Sequence, residues 1–250
     1  MKRSNDVPKW GKIQDFLRNH KNIHLVYGPK HDGNLYFKHN LDFFKQQYYN
    51  QFDFLTADGG FDYSVDFNKQ EENSINLIFC EVLYALVLQK TNGSFVLKVF
   101  DCFHRQTIEI LLLLTYFYKE VYVYKPNTSR EANSEKYIIC KGFQNHSNRV
   151  SIINKLAKGF TEIYENQIVS IFNHDMNSLY LSKVEEVNAI YGQQQIENIL
   201  VTLNYIKENI ISTNKDKVEK IKYMNLKKCI QWCRLNNQPY YAFLQDFSAD

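Results

Sequence analysis

Glycine is scarce in this chain, 9 residues in 250, and no two of them have the G-x-G spacing of a loop that lays backbone amides against a bound ligand. The five cysteines, Cys80, Cys102, Cys140, Cys229 and Cys233, include no Cys-x-x-Cys pair, which argues against a disulfide framework and for a reduced, intracellular protein. Cys229 and Cys233 lie one helical turn apart, but with no His or Cys companion nearby they predict buried thiols and no metal site. The amino terminus has no apolar core of signal-peptide type. The longest apolar stretch, IEILLLLTYF at 108–117, is too short to span a bilayer, so a soluble, unexported chain without a membrane partner is expected. Charge is nearly balanced at +3, so a nucleic-acid partner would have to be met by a local basic patch. Internal repeats and low-complexity linkers are also missing.

What is present is ordinary for a folded protein: 44% hydrophobic and 23% charged residues, enough chain for one large domain or a domain with an appendage. The 18 Tyr and 18 Phe accompany a general lean toward Asn, Ile and Lys, a bias of AT-rich codons. Short runs rich in β-branched and aromatic residues predict strands at 23–27 (IHLVY), 52–57 (FDFLTA), 94–100 (SFVLKVF), 121–125 (VYVYK) and 136–141 (KYIICK). Apolar spacings of three and four predict helices over 69–90 and 105–119. Strand and helix in alternation imply crossovers and a mostly parallel sheet covered on both faces, a Rossmann-like α/β domain over residues 1–148. From about residue 150 helical periodicity dominates SIINKLAKGFTEIYENQIVSIF, GQQQIENILVTLNYIKENII and NLKKCIQWCRLNNQP, giving a helical region over 149–250 that Pro239 helps to close.

Ligands of such sheets bind at the carboxyl ends of the strands. Asp58 follows one strand in TADGG, where the paired Gly59 and Gly60 suggest a sharp bend or a close approach to the backbone. Lys98 lies near the end of the next strand in GSFVLKVFD, and Glu135 precedes the last in KPNTSREANSEKY. A lysine held between two carboxylates is costly unless it is paired and used. Taken singly, each residue reads as part of a charge-satisfied, solvated rim.

Jointly, the motifs TADGGFD, GSFVLKVFD and KPNTSREANSEKYIICKGF resemble the FtsJ-like family of RNA 2′-O-ribose methyltransferases, in particular its cap-specific mRNA branch. The resemblance covers residues 6–143, with a weaker echo in KKCIQWCRLNNQP, and is strongest to versions found in giant viruses of amoebae. It implies S-adenosylmethionine as methyl donor, the capped mRNA 5′ end as partner and, if the chain is viral, a place in the host cytoplasm or virion. The family works with a Lys-Asp-Lys-Glu tetrad, of which Asp58, Lys98 and Glu135 match the second, third and fourth members. By the same resemblance Lys98 orients or deprotonates the ribose hydroxyl, with Asp58 and Glu135 holding it through charge-assisted hydrogen bonds. Asn34 and Leu35 in HDGNLY fall where relatives read the cofactor's adenine, although many relatives carry Asp at the place of Asn34; Asp58 borders the same pocket. Arg130 is placed to meet RNA phosphate or to structure its own loop, and Lys125 and Ser129 carry a weaker version of that expectation.

Two parts of the family pattern do not match. The Gly-rich loop after the first strand and the first tetrad lysine have no counterpart, and SNDVPKWGKIQDFLRNH resembles the loop and helix between the second and third strands. In a sheet ordered 3-2-1-4-5-7-6, losing strands one and two would leave 23–27 about 14 Å from its nearest neighbour. That segment must then shift, float, or meet another chain, and FDFLTA becomes an exposed apolar edge of the kind natural proteins avoid. A second chain or an upstream segment supplying the missing strands is therefore expected. The intact Asp58, Lys98 and Glu135 favour an enzyme or its catalytic part. The missing loop favours a non-catalytic RNA-binding or subunit-interaction module derived from that fold. Ribosomal RNA as substrate is the less favoured third reading, because KPNTSREANSEKY belongs to the cap branch.

Overall fold

The computed structural model describes residues 14–61, 66–163, 166–208 and 213–240. Its centre is strand β2, Gln89–Val99, whose alternating Phe95, Leu97 and Val99 are buried in the core while Val96 and Lys98 are half-buried on the other face. That is the period-2 pattern expected of a strand with a helix layer beneath it. Beside it, β1 (Phe52–Ala57) pairs in parallel. On its other side β4 (Lys136–Phe143) pairs antiparallel, and β3 (Tyr118–Tyr124) pairs antiparallel with β4, giving the sheet order β1-β2-β4-β3. Three of the four strands run the same way, as expected of a mostly parallel sheet, and β4 runs against them, which makes the sheet mixed.

The crossover from β1 to β2 is helix α3, Gln70–Leu88, which the numbering reaches after α1 (Gln14–Asn19) and α2 (Lys38–Tyr48). From Ser74 to Leu88 almost every residue of α3 is buried, as required of a helix packed on a sheet and covered in turn by other helices. Helix α4, Arg105–Phe117, makes the next crossover to β3, and the buried carboxylate of Glu71 on α3 accepts the amide protons of Phe103 and His104 at its start. At the other end of α3, Arg149 opens helix α5 (Arg149–Ala157). Its fully buried guanidinium donates to the carbonyls of Leu86, Val87 and Gln89 and lies between the rings of Tyr49 and Phe143. A cation there satisfies the orphan carbonyls of a helix carboxyl end.

The stretch 23–27 is not a strand. It runs as irregular chain with His24–Tyr27 exposed, and turns back through Gly28, His31 and Gly33, all at positive φ. No strand among the described residues pairs with the outer edge of β1, where Phe54 is 61% exposed, so the expected apolar edge is open. Helix α2, not anticipated, buries Leu41 and sets Phe44 against Tyr84 of α3.

After α5 comes the short α6, Phe160–Ile163. The expected helix does not continue through QIVSIF: residues 166–177 form a strap whose Ile168, Ile171 and Phe172 pack on the core, with the buried Glu109 accepting from Ser170 and the Ile171 amide. Helix α7, Ser178–Lys207, begins with Val184 in the core and with Tyr180, Asn188 and Tyr191 bonded to the carbonyls of Ile108, Cys102 and Val123. One compact unit ends at Gly192, so α5, α6 and the start of α7 belong with the sheet. A second begins at Gln193 and includes α8, Lys215–Leu235, with Asn214 capping its amino end and Ile230 buried. Among the described residues no helix is long and apolar enough to cross a membrane. Residues 1–13, part of the matched amino-terminal motif, lie outside those described.

Candidate active site

Sheet register explains how three residues far apart in sequence share one place. Ala57, the last residue of β1, stands opposite Leu97 of β2, and Val99 stands opposite Lys136, the first residue of β4. The carboxyl ends of two parallel strands therefore meet the amino end of the antiparallel one. Asp58, Lys98 and Glu135 follow from that placement. The Lys98 Nζ lies 2.7 Å from Asp58 Oδ1 and 3.9 Å from Glu135 Oε2, the second too long for a direct hydrogen bond but within reach of an ion pair. Lys98 is 21% exposed, Glu135 25% and Asp58 62%, so the amine is sheltered and the nearer carboxylate is open to solvent.

Glu135 is fixed from its far side. Tyr137 and Ser129 both donate hydroxyl protons to its Oε1, at 3.0 and 3.4 Å, leaving Oε2 toward Lys98. Burial, helped by that bond to Glu135, pushes the Tyr137 hydroxyl up to about 12, so it remains a donor. Lys125 commits its ammonium to the loop itself, donating to Asn133 O and Oδ1 and to Glu135 O. Burial and the neighbouring Lys136 hold it below the usual lysine range. Lys136, itself buried, bonds Phe100 O, Asp101 Oδ1 and Ser134 O, and so ties the start of β4 to the end of β2. Arg130 is exposed on this loop, its carbonyl accepting from Asn133. Of the three residues expected to meet RNA, then, Lys125 and Ser129 are built into the loop that presents Glu135, and Arg130 faces solvent.

The paired glycines of TADGG have a geometric reason at one position. A Cβ on Gly59 would fall 2.5 Å from Glu81 Oε1 and 2.8 Å from Leu77 Cδ2, whereas one on Gly60 would meet nothing within 4 Å. A side chain at 59 would have to displace the Glu81 and Leu77 side chains, because the turn after β1 presses on α3. The Gly59 amide donates to Glu81 Oε1 at 2.8 Å. Burial pushes the Glu81 carboxyl up to about 7; the Gly59 amide and Lys98 oppose that rise and the Asp58 charge adds to it. Sequence reasoning missed Glu81, although a lone carboxylate in the apolar run FCEVLYAL was a visible signal.

Asn34 and Leu35 sit in the turn before α2. Asn34 Oδ1 accepts from the Tyr36 amide, Asp32 accepts from the Asn34 amide and from Asn40 Nδ2, and Leu35 packs on the core. No hydrogen bond or ion pair among the described residues joins Asn34 or Leu35 to Asp58. A cavity of about 640 Å³ between Phe79, Lys155, Ile163 and Ile168 and a smaller one of about 160 Å³ beside Tyr180 are lined by none of Asn34, Leu35, Asp58, Lys98 and Glu135. No G-x-G loop follows any of the described strands in the sequence.

The fold and this lysine between two carboxylates define a class, and the family comparison agrees: residues 5–143 match the FtsJ-like methyltransferase family, to which the chain belongs. Among curated proteins, it is 31% identical over 196 residues to cap-specific mRNA (nucleoside-2′-O-)-methyltransferase 1 of Drosophila melanogaster, covering 72% of this chain and 25% of that protein. It is 33% identical over 157 residues to the cap-specific mRNA (nucleoside-2′-O-)-methyltransferase of Autographa californica nuclear polyhedrosis virus, covering 62% and 59%. To the human cap-specific mRNA (nucleoside-2′-O-)-methyltransferase 1 it is 34% identical over 142 residues, covering 53% and 17%. The chain thus spans between about a sixth and three-fifths of the length of these relatives.

Proposed function

We propose that this chain is a cap-specific mRNA 2′-O-ribose methyltransferase or the catalytic part of one, acting on the capped mRNA 5′ end. The observation that carries the reading is Lys98, half-buried at a strand end with Asp58 at 2.7 Å and Glu135 at 3.9 Å. A ribose hydroxyl is a weak nucleophile; a lysine whose position is set by two carboxylates can orient that hydroxyl, and in its neutral amine form it can accept the hydroxyl proton, becoming the ammonium that the two carboxylates hold. Tyr137 and Ser129 keep Glu135 in place, and the Lys125 clamp keeps the loop in place around it. Arg130 is the residue of that loop left to meet a backbone phosphate. S-adenosylmethionine, the donor this family uses, supplies the electrophilic methyl group. Asn34, Leu35 and Asp58 form one side of its site, and the remainder comes from an upstream segment or second chain whose strands pair with the open edge of β1.

A second reading, a non-catalytic RNA-binding or subunit-interaction module, is favoured by the same open edge and by the missing cradle. The two are separated by incubating the chain, with and without a complementing segment that carries a Gly-rich loop, with S-adenosylmethionine and capped RNA. The enzyme reading expects one methyl group on a cap-proximal ribose and none on RNA with a 2′-deoxy nucleotide there. RNA binding without transfer in every combination supports the module instead.

A further inference from the structure

We propose that Glu81 is a positioning residue of this site, its side chain holding the Asp58–Gly59 turn against Lys98 through the Gly59 amide. The inference deepens the methyltransferase reading and rests on it for what the turn is positioned to do. Glu81 lies on α3 amid Phe79, Val82 and Leu83, all buried, and is itself 7% exposed. A carboxylate in such surroundings is expensive, and a group serving packing alone would be better apolar. Its hydrogen bond, 2.8 Å from the amide of Gly59, reaches the residue next to Asp58, and Asp58 in turn is bonded to Lys98. The contact is close enough that Gly59 could not carry a side chain without displacing Oε1. The charges acting on Glu81 are those of the site, Asp58 from the turn and Lys98 from β2; the Cys80 thiol beside it on α3 is kept neutral by burial. Helix α3 is thereby the wall against which the Asp58 side of the site is registered. A displacement of Asp58 by about an ångström is of the size that costs an enzyme up to about a hundredfold in rate.

The test uses the full chain labelled with ¹³C-carbonyl Asp and ¹⁵N Gly, which selects the Asp-Gly pairs ending in Gly33 and Gly59. In the wild type the Gly59 amide should shift with a midpoint near pH 7, and Glu81→Gln, which keeps an acceptor but cannot ionise, should abolish that titration. In the transfer assay, with the complementing segment supplied, Glu81→Gln should keep most of kcat and lose its pH dependence around neutrality. Glu81→Leu, which orphans the Gly59 amide, should lower kcat about 10- to 100-fold with KM for RNA little changed. A Gly59 amide that does not titrate, or titrates alike in Glu81→Gln, overturns the proposal, as does a folded Glu81→Leu with wild-type kcat. If the wild type transfers no methyl group, the methyltransferase reading fails, and the amide titration still decides whether Glu81 holds the turn.

Discussion

Replacing Glu81 by Gln should make the protein more stable at pH 8 and leave it nearly unchanged at pH 4.5. Burial moves the folded-state carboxyl from its ordinary 4.5 to about 7. An acid whose folded value is raised binds more protons in the native state than in the unfolded one between those two values. Stability therefore falls as pH rises from 4.5 to 7, and the full penalty applies above 7. Each pH unit of displacement is worth about 1.4 kcal/mol, so the ionised group costs the native state on the order of 3 kcal/mol at pH 8. Gln retains the acceptor for the Gly59 amide at similar volume and avoids that cost. With about 2–4 °C per kcal/mol for a domain of this size, the midpoint of thermal unfolding should rise by roughly 6–12 °C at pH 8. Calorimetric scans of both proteins at the two pH values cancel every titration they share. A difference that is the same at both, or absent at pH 8, would falsify the account of a carboxylate held at the site against its own solvation.

Other substitutions separate scaffold from site. Arg149→Met leaves the carbonyls of Leu86, Val87 and Gln89 without their donor; a loss on the order of 3–5 kcal/mol should lower the unfolding midpoint by roughly 6–20 °C. Asp58→Asn should do little to stability, since the Asp58 carboxylate is itself largely exposed and ion pairs open to solvent are worth about 0–1 kcal/mol, yet it should reduce transfer severely; a large drop in midpoint would mark the pair as structural. Titration calorimetry of the chain alone with S-adenosylmethionine should give binding no tighter than about millimolar, because the missing cradle is worth several times the 1.4 kcal/mol of a tenfold change. Micromolar binding would show that other residues complete the pocket.

The strands that carry the site were readable because each has both signals a strand offers, alternation and bounding turn residues. The run 23–27 has the same composition and is irregular chain, since a strand exists only where a neighbour accepts its hydrogen bonds, and composition says nothing about the neighbour. Helix α2 was legible in principle, with Leu41, Phe44 and Tyr48 at spacings of three and four, but it starts without a side-chain cap to announce it. QIVSIF has helical spacing and instead lies as a strap, because Glu109 and Asn76 accept its amides from elements distant in sequence. At the site, Asp58, Lys98 and Glu135 could be found from motifs because each borders a strand end. Lys125 is expected to meet phosphate because a lysine's charge is visible in sequence, whereas the three acceptors that hold its ammonium, Asn133 O and Oδ1 and Glu135 O, are not. Glu81 was hidden for the opposite reason: its partner is a backbone amide, which no residue letter marks.

The central claim is that Lys98, placed by Asp58 and Glu135, prepares a ribose hydroxyl for methylation. Its most direct test is the transfer rate to capped RNA, in the presence of the complementing segment, of wild-type chain against Lys98→Ala. The account predicts that the substitution lowers the rate by about 10²- to 10⁴-fold while S-adenosylmethionine binds as before. Undiminished transfer by Lys98→Ala would contradict it, and would return the lysine and its two carboxylates to the role of a charge-satisfied rim.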